Sequence, residues 1–80
     1  MEEIKNYAKE NGFSIDEQND GFTAWTPCER FGLAVDTDTD TATLLDSDGC
    51  PIDHVPNSSY SGRDMSASDA IWAIERCTDA

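Results

Sequence analysis

Near the amino terminus the chain repeats at helical spacing. Ile4, Tyr7 and Ala8, together with Asn11, share one side of residues 2–11, while Glu2, Lys5, Lys9 and Glu10 fall elsewhere, which predicts a short helix. Gly12 stands where a left-handed cap is expected, and Glu2 and Glu3 in the first turn complement the helix dipole. The period then changes to two. Phe13 to Asp16 alternates apolar and polar, Gln18-Asn19-Asp20-Gly21 reads as a turn in which Asp20 and Gly21 tolerate positive φ, and Phe22 to Thr26 forms the return strand. On that strand Phe22 and Ala24 share one face, Thr23 and Trp25 the other, and Pro27 ends the pairing by removing a donor.

Phe31, Leu33 and Val35 keep the same alternation and define a third strand, which Ala42 to Leu45 answers. No glycine lies near residues 38–40, so the connecting loop is expected to exceed two residues. Ser47-Asp48-Gly49 is a further turn, with Cys50 to Val55 a short strand in which Pro51 fits only at the start or on an exposed edge. Residues 56–64 are loop by composition. Ser66 and Asp69 then form an S-x-x-D cap ahead of AIWAIERC, predicting a helix from about Ala67 to Cys77. Its apolar stripe is Ala67, Ala70, Ile71, Ile74 and Cys77, and Trp72 falls near the opposite side, beside Asp69, Arg76 and Asp79.

These elements predict one α+β domain spanning residues 1–80: an antiparallel sheet of four or five short strands flanked by an N-terminal and a C-terminal helix. The helices are expected mainly on one sheet face. The other face can then be partly solvated, where Thr and Asp belong. Eighty residues bury only roughly 60 to 65% of the surface their unfolded form exposes, so the core is small. An apolar fraction of 38% with seven aromatics nevertheless exceeds what a disordered acidic tail carries.

Charge changes this picture most. Seventeen acids against five bases give a net charge of −12. Nucleic acid, anionic lipid and acidic substrates would be repelled, so basic proteins are the expected partners and no direct nucleic-acid or membrane binding is expected. Adaptation to high salt, or plain solubility, is the alternative reading of the same acidity. Acids at the N-terminus where a signal peptide needs bases, and the lack of any run near 18 apolar residues, point to a cytoplasmic protein. Cys28, Cys50 and Cys77 are odd in number and widely spaced, which suits reduced thiols.

The acidity concentrates in DTDTDTATLLDSDGCPID, residues 36–53, where Asp36, Asp38, Asp40, Asp46, Asp48 and Asp53 meet no Lys or Arg between Phe31 and Gly62. If Asp36, Asp38 and Asp40 are extended they project to one side at about 6.8 Å intervals. At that spacing neighbouring charges repel by only about 0.6 kcal/mol in water, which a fold tolerates. Such a row resembles a nucleic-acid backbone, and a Lys/Arg groove built for phosphate would gain from binding it. The same three aspartates occupy positions 1, 3 and 5 of a calcium loop, but Thr41 stands where that loop needs Gly and Ser47 where it needs Glu. Cys28, Cys50, His54 and Cys77 could supply four zinc ligands in principle, yet no C-x-x-C pair is present and Cys77 sits on an apolar stripe. His54 is the single histidine, with nothing to fix Cys28 or the Ser58-Ser59 pair beside it, so no enzymatic role and no cofactor is expected. Trp72 is a large apolar residue on a polar helix face and a candidate interface anchor, the alternative being packing within the monomer; Tyr60 and Arg63 could assist.

In size, charge, the Asp-rich stretch and lack of a catalytic motif, the chain resembles the small acidic proteins by which phages and mobile elements disarm bacterial defences, including DNA-mimic anti-CRISPR and anti-restriction proteins. The resemblance implies a stoichiometric inhibitor occupying the basic nucleic-acid groove of a CRISPR effector complex or a restriction enzyme. In that reading Asp36, Asp38, Asp40, Asp46 and Asp48 act as phosphate surrogates and Trp72 as an apolar anchor. Two other readings stand beside it: an interaction module resting on Trp72 and the sheet face, and a divalent-metal-binding domain using the Asp row.

Overall fold

A computed structural model of the chain describes residues 2–56 and 58–78. Helix α1 (Glu2–Glu10) buries Ile4 and Ala8, one turn apart, and half-buries Tyr7. It ends as its glycine dictates. Gly12 takes φ +74°, Phe13 N–H donates to the Ala8 carbonyl at 2.8 Å, and Gly12 N–H donates to that of Lys9 at 3.4 Å. Phe13 turns back onto Tyr7 edge to face, 5.7 Å between ring centres, which sets the angle at which the chain enters the sheet. Asn11 is exposed although it shares the apolar side, because its amide Nδ2 caps the Tyr7 carbonyl at 2.8 Å.

Four strands follow as an antiparallel meander in the order β1 (Ser14–Gln18), β2 (Gly21–Trp25), β3 (Gly32–Asp36), β4 (Thr41–Leu45). Register places Ile15, Ala24, Leu33 and Leu44 in one row and Glu17, Phe22, Val35 and Ala42 in the next, all on one face. Helix α2 (Ala67–Thr78) adds Ala70, Ala73, Ile74 and Cys77, and α1 adds Ile4 and Ala8, to form a single core on that face. Both helices therefore share one side of the sheet. The other side carries Asp16, Thr23, Ala34 and Thr43 in a row, flanked by Trp25, whose ring lies on Gly32 with Cε3 2.8 Å from the point a β-carbon would occupy.

The expected fifth strand at residues 50–55 does not form. Pro51 makes one isolated bridge with Leu45 and then yields the edge of β4 to a later segment, because a proline cannot continue the ladder. Ile52 N–H donates to the Leu44 carbonyl (2.8 Å), Gly62 accepts from Leu44 N–H (2.7 Å), and Met65 exchanges both backbone bonds with Ala42 (2.8 and 2.9 Å). Two irregular pieces thus cover the outer edge of β4. The first hairpin also differs in detail. Asn19 and Asp20 close it without any left-handed backbone, and glycine is needed at 21 because a β-carbon there would stand 1.9 Å from the Val35 carbonyl oxygen.

The β1–β2 and β3–β4 turns lie at the same end of the sheet. The N-terminus of α1 joins them, since Glu2 and Lys5 share a depression with Gln18, Asn19 and Thr37. The chain also enters α2 from this end: Met65, paired with Ala42, leads into Ser66, whose hydroxyl accepts from Asp69 N–H at 3.4 Å. No described helix is long and apolar enough to cross a membrane.

Candidate protein-binding surface

The β3–β4 connection is a four-residue turn, Thr37–Asp40, between the paired residues Asp36 and Thr41. Its conformation overturns the extended row of aspartates. Asp36 Oδ1 accepts Asp38 N–H at 2.9 Å, an Asx turn, and Asp40 adopts φ +55°, a conformation aspartate tolerates. The threonines do the inward work. Thr37 donates both its N–H and its hydroxyl to the Asp20 carbonyl, each at 2.9 Å, and the Thr39 and Thr41 hydroxyls meet at 2.7 Å. Alternating Thr and Asp thus builds a turn that the Thr37 hydroxyl ties to the neighbouring hairpin and whose carboxylates are exposed.

Beside it a shallow depression of about 360 Å³ on the helix-free face is bordered by Asp20, Asp36, Thr39, Thr41, Thr43 and Asp64. No Lys or Arg lines it. Asp20, Asp38, Asp40 and Asp64 lack an ion pair among the described residues, whose two salt bridges are Lys5 with Glu17 and Arg63 with Asp53 (2.9 Å). Of the bases near this end, Arg63 precedes Asp64 but pairs with Asp53, and Lys5 lines the neighbouring depression at the start of α1. Lys5 also lies 5.5 Å over the Phe22 ring, and its ammonium holds the Glu17 carboxyl below the usual carboxylate range.

Asp46 and Asp48 are at the opposite end of β4. At roughly 3.4 Å per residue the strand separates Asp40 from Asp46 by about 20 Å. Asp46 is half-buried and structural, since its Oδ1 accepts both Asp48 N–H and Cys50 N–H at 2.9 Å and closes the turn in which Gly49 takes φ +83°. The five aspartates therefore do not make one surface. Asp36, Asp38 and Asp40 are joined instead by Asp20 and Asp64, which come from distant parts of the sequence.

Trp72 lies where its helical phase places it, 38% exposed, and packs edge to face on Tyr60 (5.2 Å, 71°) with the Arg76 guanidinium 5.0 Å over its ring. Asp79, expected beside it, is outside the described residues. Tyr60 is 66% exposed, and its backbone is fixed by Val55 N–H, which donates to its carbonyl (2.9 Å), and by Ser58 Oγ, which accepts its N–H (3.0 Å). Trp72 thus packs within the monomer while part of its side chain remains exposed.

The calcium-loop reading fails in the backbone, because Thr41 to Leu45 of the would-be loop are strand β4. Among the described residues no three His, Cys, Asp or Glu side chains gather to hold a metal ion, so the zinc set is dispersed as well. The cysteines differ in kind. Cys28 is exposed, and a hydrogen bond with the Thr26 hydroxyl (3.4 Å), helped by the Arg30 backbone and charge, lowers its pKa. Cys77 is buried, and desolvation pushes its thiol up to about 11. Thiol titration with a colorimetric disulfide reagent at neutral pH should label Cys28 rapidly and leave Cys77 unlabelled until denaturant is added. Because Cys77 is held neutral in the fold, stability should fall as pH rises from the ordinary thiol value of 9.0 towards 11, where the unfolded chain ionises first.

No protein-family model, curated protein or solved structure matches this chain.

Proposed function

We propose that this protein is a non-enzymatic inhibitor that binds the basic groove of a nucleic-acid-binding protein through its acidic end. The observation that carries this reading is that Asp20, Asp36 and Asp64 border one depression with no Lys or Arg lining it, and that Asp38 and Asp40 stand in the adjoining β3–β4 turn at the same end of the sheet. A solvated charge run needs no such gathering. Residues brought from two hairpins and a distant loop give a field of one sign over a compact area, which a groove lined by Lys and Arg would meet with favourable release of counterions. The partner class implied by the resemblance is a CRISPR effector complex or a restriction enzyme, and inhibition would be by exclusion of DNA.

The test is capture from a bacterial lysate on the immobilised protein, with washes at low and then moderate salt and elution by duplex DNA. A basic nucleic-acid-binding protein retained through the moderate wash and displaced by DNA is the expected result. A scatter of weak basic contaminants, all lost by about 0.2 M salt, would remove specific mimicry from consideration. The exposed Tyr60 and Trp72 pair favours a second reading, an interaction module whose acidity serves solubility. Affinity would then depend on Trp72 and only weakly on ionic strength.

A further inference from the structure

Tyr60 and Trp72 are the two large hydrophobic side chains most exposed among the described residues, and they stand together. Their rings meet at 71° and 5.2 Å and open onto a groove of about 310 Å³. Val55 and Met65, both buried, line it beneath the rings, and Ser61 and Asp69 supply its polar groups. A space near the lower end of the range for ligand pockets holds one side chain, not a folded peptide.

The chemistry of the walls narrows the occupant. Val55 and Met65 suit an aliphatic stem, two inclined aromatic faces suit a planar cation, and the Asp69 carboxylate suits the charge at its tip. Arginine has all three parts. Its guanidinium stacks on aromatic faces and pairs with carboxylates, and it is weakly hydrated enough to leave water. Trp72 already holds one guanidinium, that of Arg76, and Arg76 does not line the groove. The chain's charge of −12 favours a cationic occupant over a neutral one, and disfavours a second copy of this equally acidic protein.

We propose that the Tyr60–Trp72 groove receives an arginine side chain from the basic partner protein. This rests on the reading that the partner is basic and adds a point of specific grip that a diffuse charge field lacks. The acid would draw the partner in; the groove would fix its register.

The experiment is a titration of ¹⁵N-labelled protein followed at the indole N–H signals of Trp72 and Trp25, with Trp72→Phe used for assignment. The probes are Nα-acetyl-arginine amide and its neutral counterparts, the citrulline and norleucine amides. A saturable shift of the Trp72 signal with arginine alone, with Trp25 unmoved, is the expected result. Asp69→Asn should weaken that binding by about three- to fivefold, and Tyr60→Ala should do at least as much. Equal binding of citrulline or norleucine would make the groove an apolar site and overturn the assignment. So would no saturable shift, or a Trp72 shift driven by protein concentration alone, which would mean a second copy. Asp36→Asn/Asp38→Asn/Asp40→Asn should leave the arginine titration unchanged, and loss of the response in that variant would reduce it to net charge. The same variant separates the two proposals, because capture of a basic partner can fail while the arginine titration succeeds, or the reverse.

Discussion

Gly21→Ala is expected to be the most damaging glycine-to-alanine substitution in the molecule. The added β-carbon would stand 1.9 Å from the Val35 carbonyl oxygen and 2.9 Å from its carbonyl carbon. Neither is the tip of a flexible side chain. Val35 is paired with Phe22 on one side and Ala42 on the other, so its backbone can retreat only by breaking ladders in the middle of the sheet. Overpacking of this kind costs about 3 kcal/mol or more, against roughly 4 to 12 kcal/mol for a whole domain of this length. A thermal melt followed by circular dichroism should show the midpoint falling by about 12 to 24 °C. Gly12→Ala is the control. Nothing lies within 4 Å of its β-carbon, so only the φ of +74° is penalised, at about 1 to 2 kcal/mol. A Gly21→Ala protein that melts no lower than Gly12→Ala would mean that the register of β2 against β3 is wrong. The acidic end should fail with the hairpin, because the Asp20 carbonyl that anchors Thr37 belongs to the same turn.

That glycine shows where local sequence signals lose resolution. Asp20-Gly21 reads as a turn and is one, but the expected reason, positive φ, is not used there; the demand comes from Val35 on β3. The elements set by local chemistry were legible. Gly12 ends α1 by the bonds its position implies, Ser66 caps α2, and the alternation of Phe22 with Ala24 and of Leu33 with Val35 assigns the core face correctly. What failed to show depended on partners. Cys50 to Val55 has the length and turn flanks of a strand, yet it shares one edge of β4 with residues 62–65, and no pattern within residues 50–55 reveals that competition.

The candidate surface was legible in composition and misread in geometry. A Thr-Asp repeat satisfies the period of a strand, but it equally satisfies a turn in which Asp36 caps Asp38 and Thr37 bonds the Asp20 carbonyl. Asp64 and Asp20 were invisible as members because they reach the site through strand order. In the sequence Tyr60 is legible only as a loop aromatic that could assist an interface. Its pairing with Trp72 needs the loop at residues 58–61 to lie against α2, which Val55 arranges through its bond to the Tyr60 carbonyl.

Asp36→Asn/Asp38→Asn/Asp40→Asn is expected to separate stability from binding. Asparagine retains the side-chain oxygen that accepts Asp38 N–H from position 36, and it tolerates the left-handed φ at position 40, so the turn can form. Relief of like-charge repulsion offsets the weaker neutral hydrogen bond, and the melting midpoint should move by no more than about 5 °C in either direction. Affinity for a captured basic partner should fall by about ten- to a hundredfold near physiological salt, and the dependence of log K on log salt should flatten by about 2.7, or 0.9 for each phosphate-like charge removed. The control removes three charges from the other end of the sheet. Glu10→Gln/Glu29→Gln/Asp48→Asn also changes the net charge from −12 to −9, since three acids are neutralised in each case. It should cost less than about threefold in affinity, as remote charges are screened over a Debye length of about 8 Å. Equal losses from the two variants would show that the partner responds to total charge, and the acidic end would have no privileged role. Unequal losses, with the flatter salt dependence confined to the first variant, would assign the contact to the end where Asp20 and Thr37 join the two hairpins.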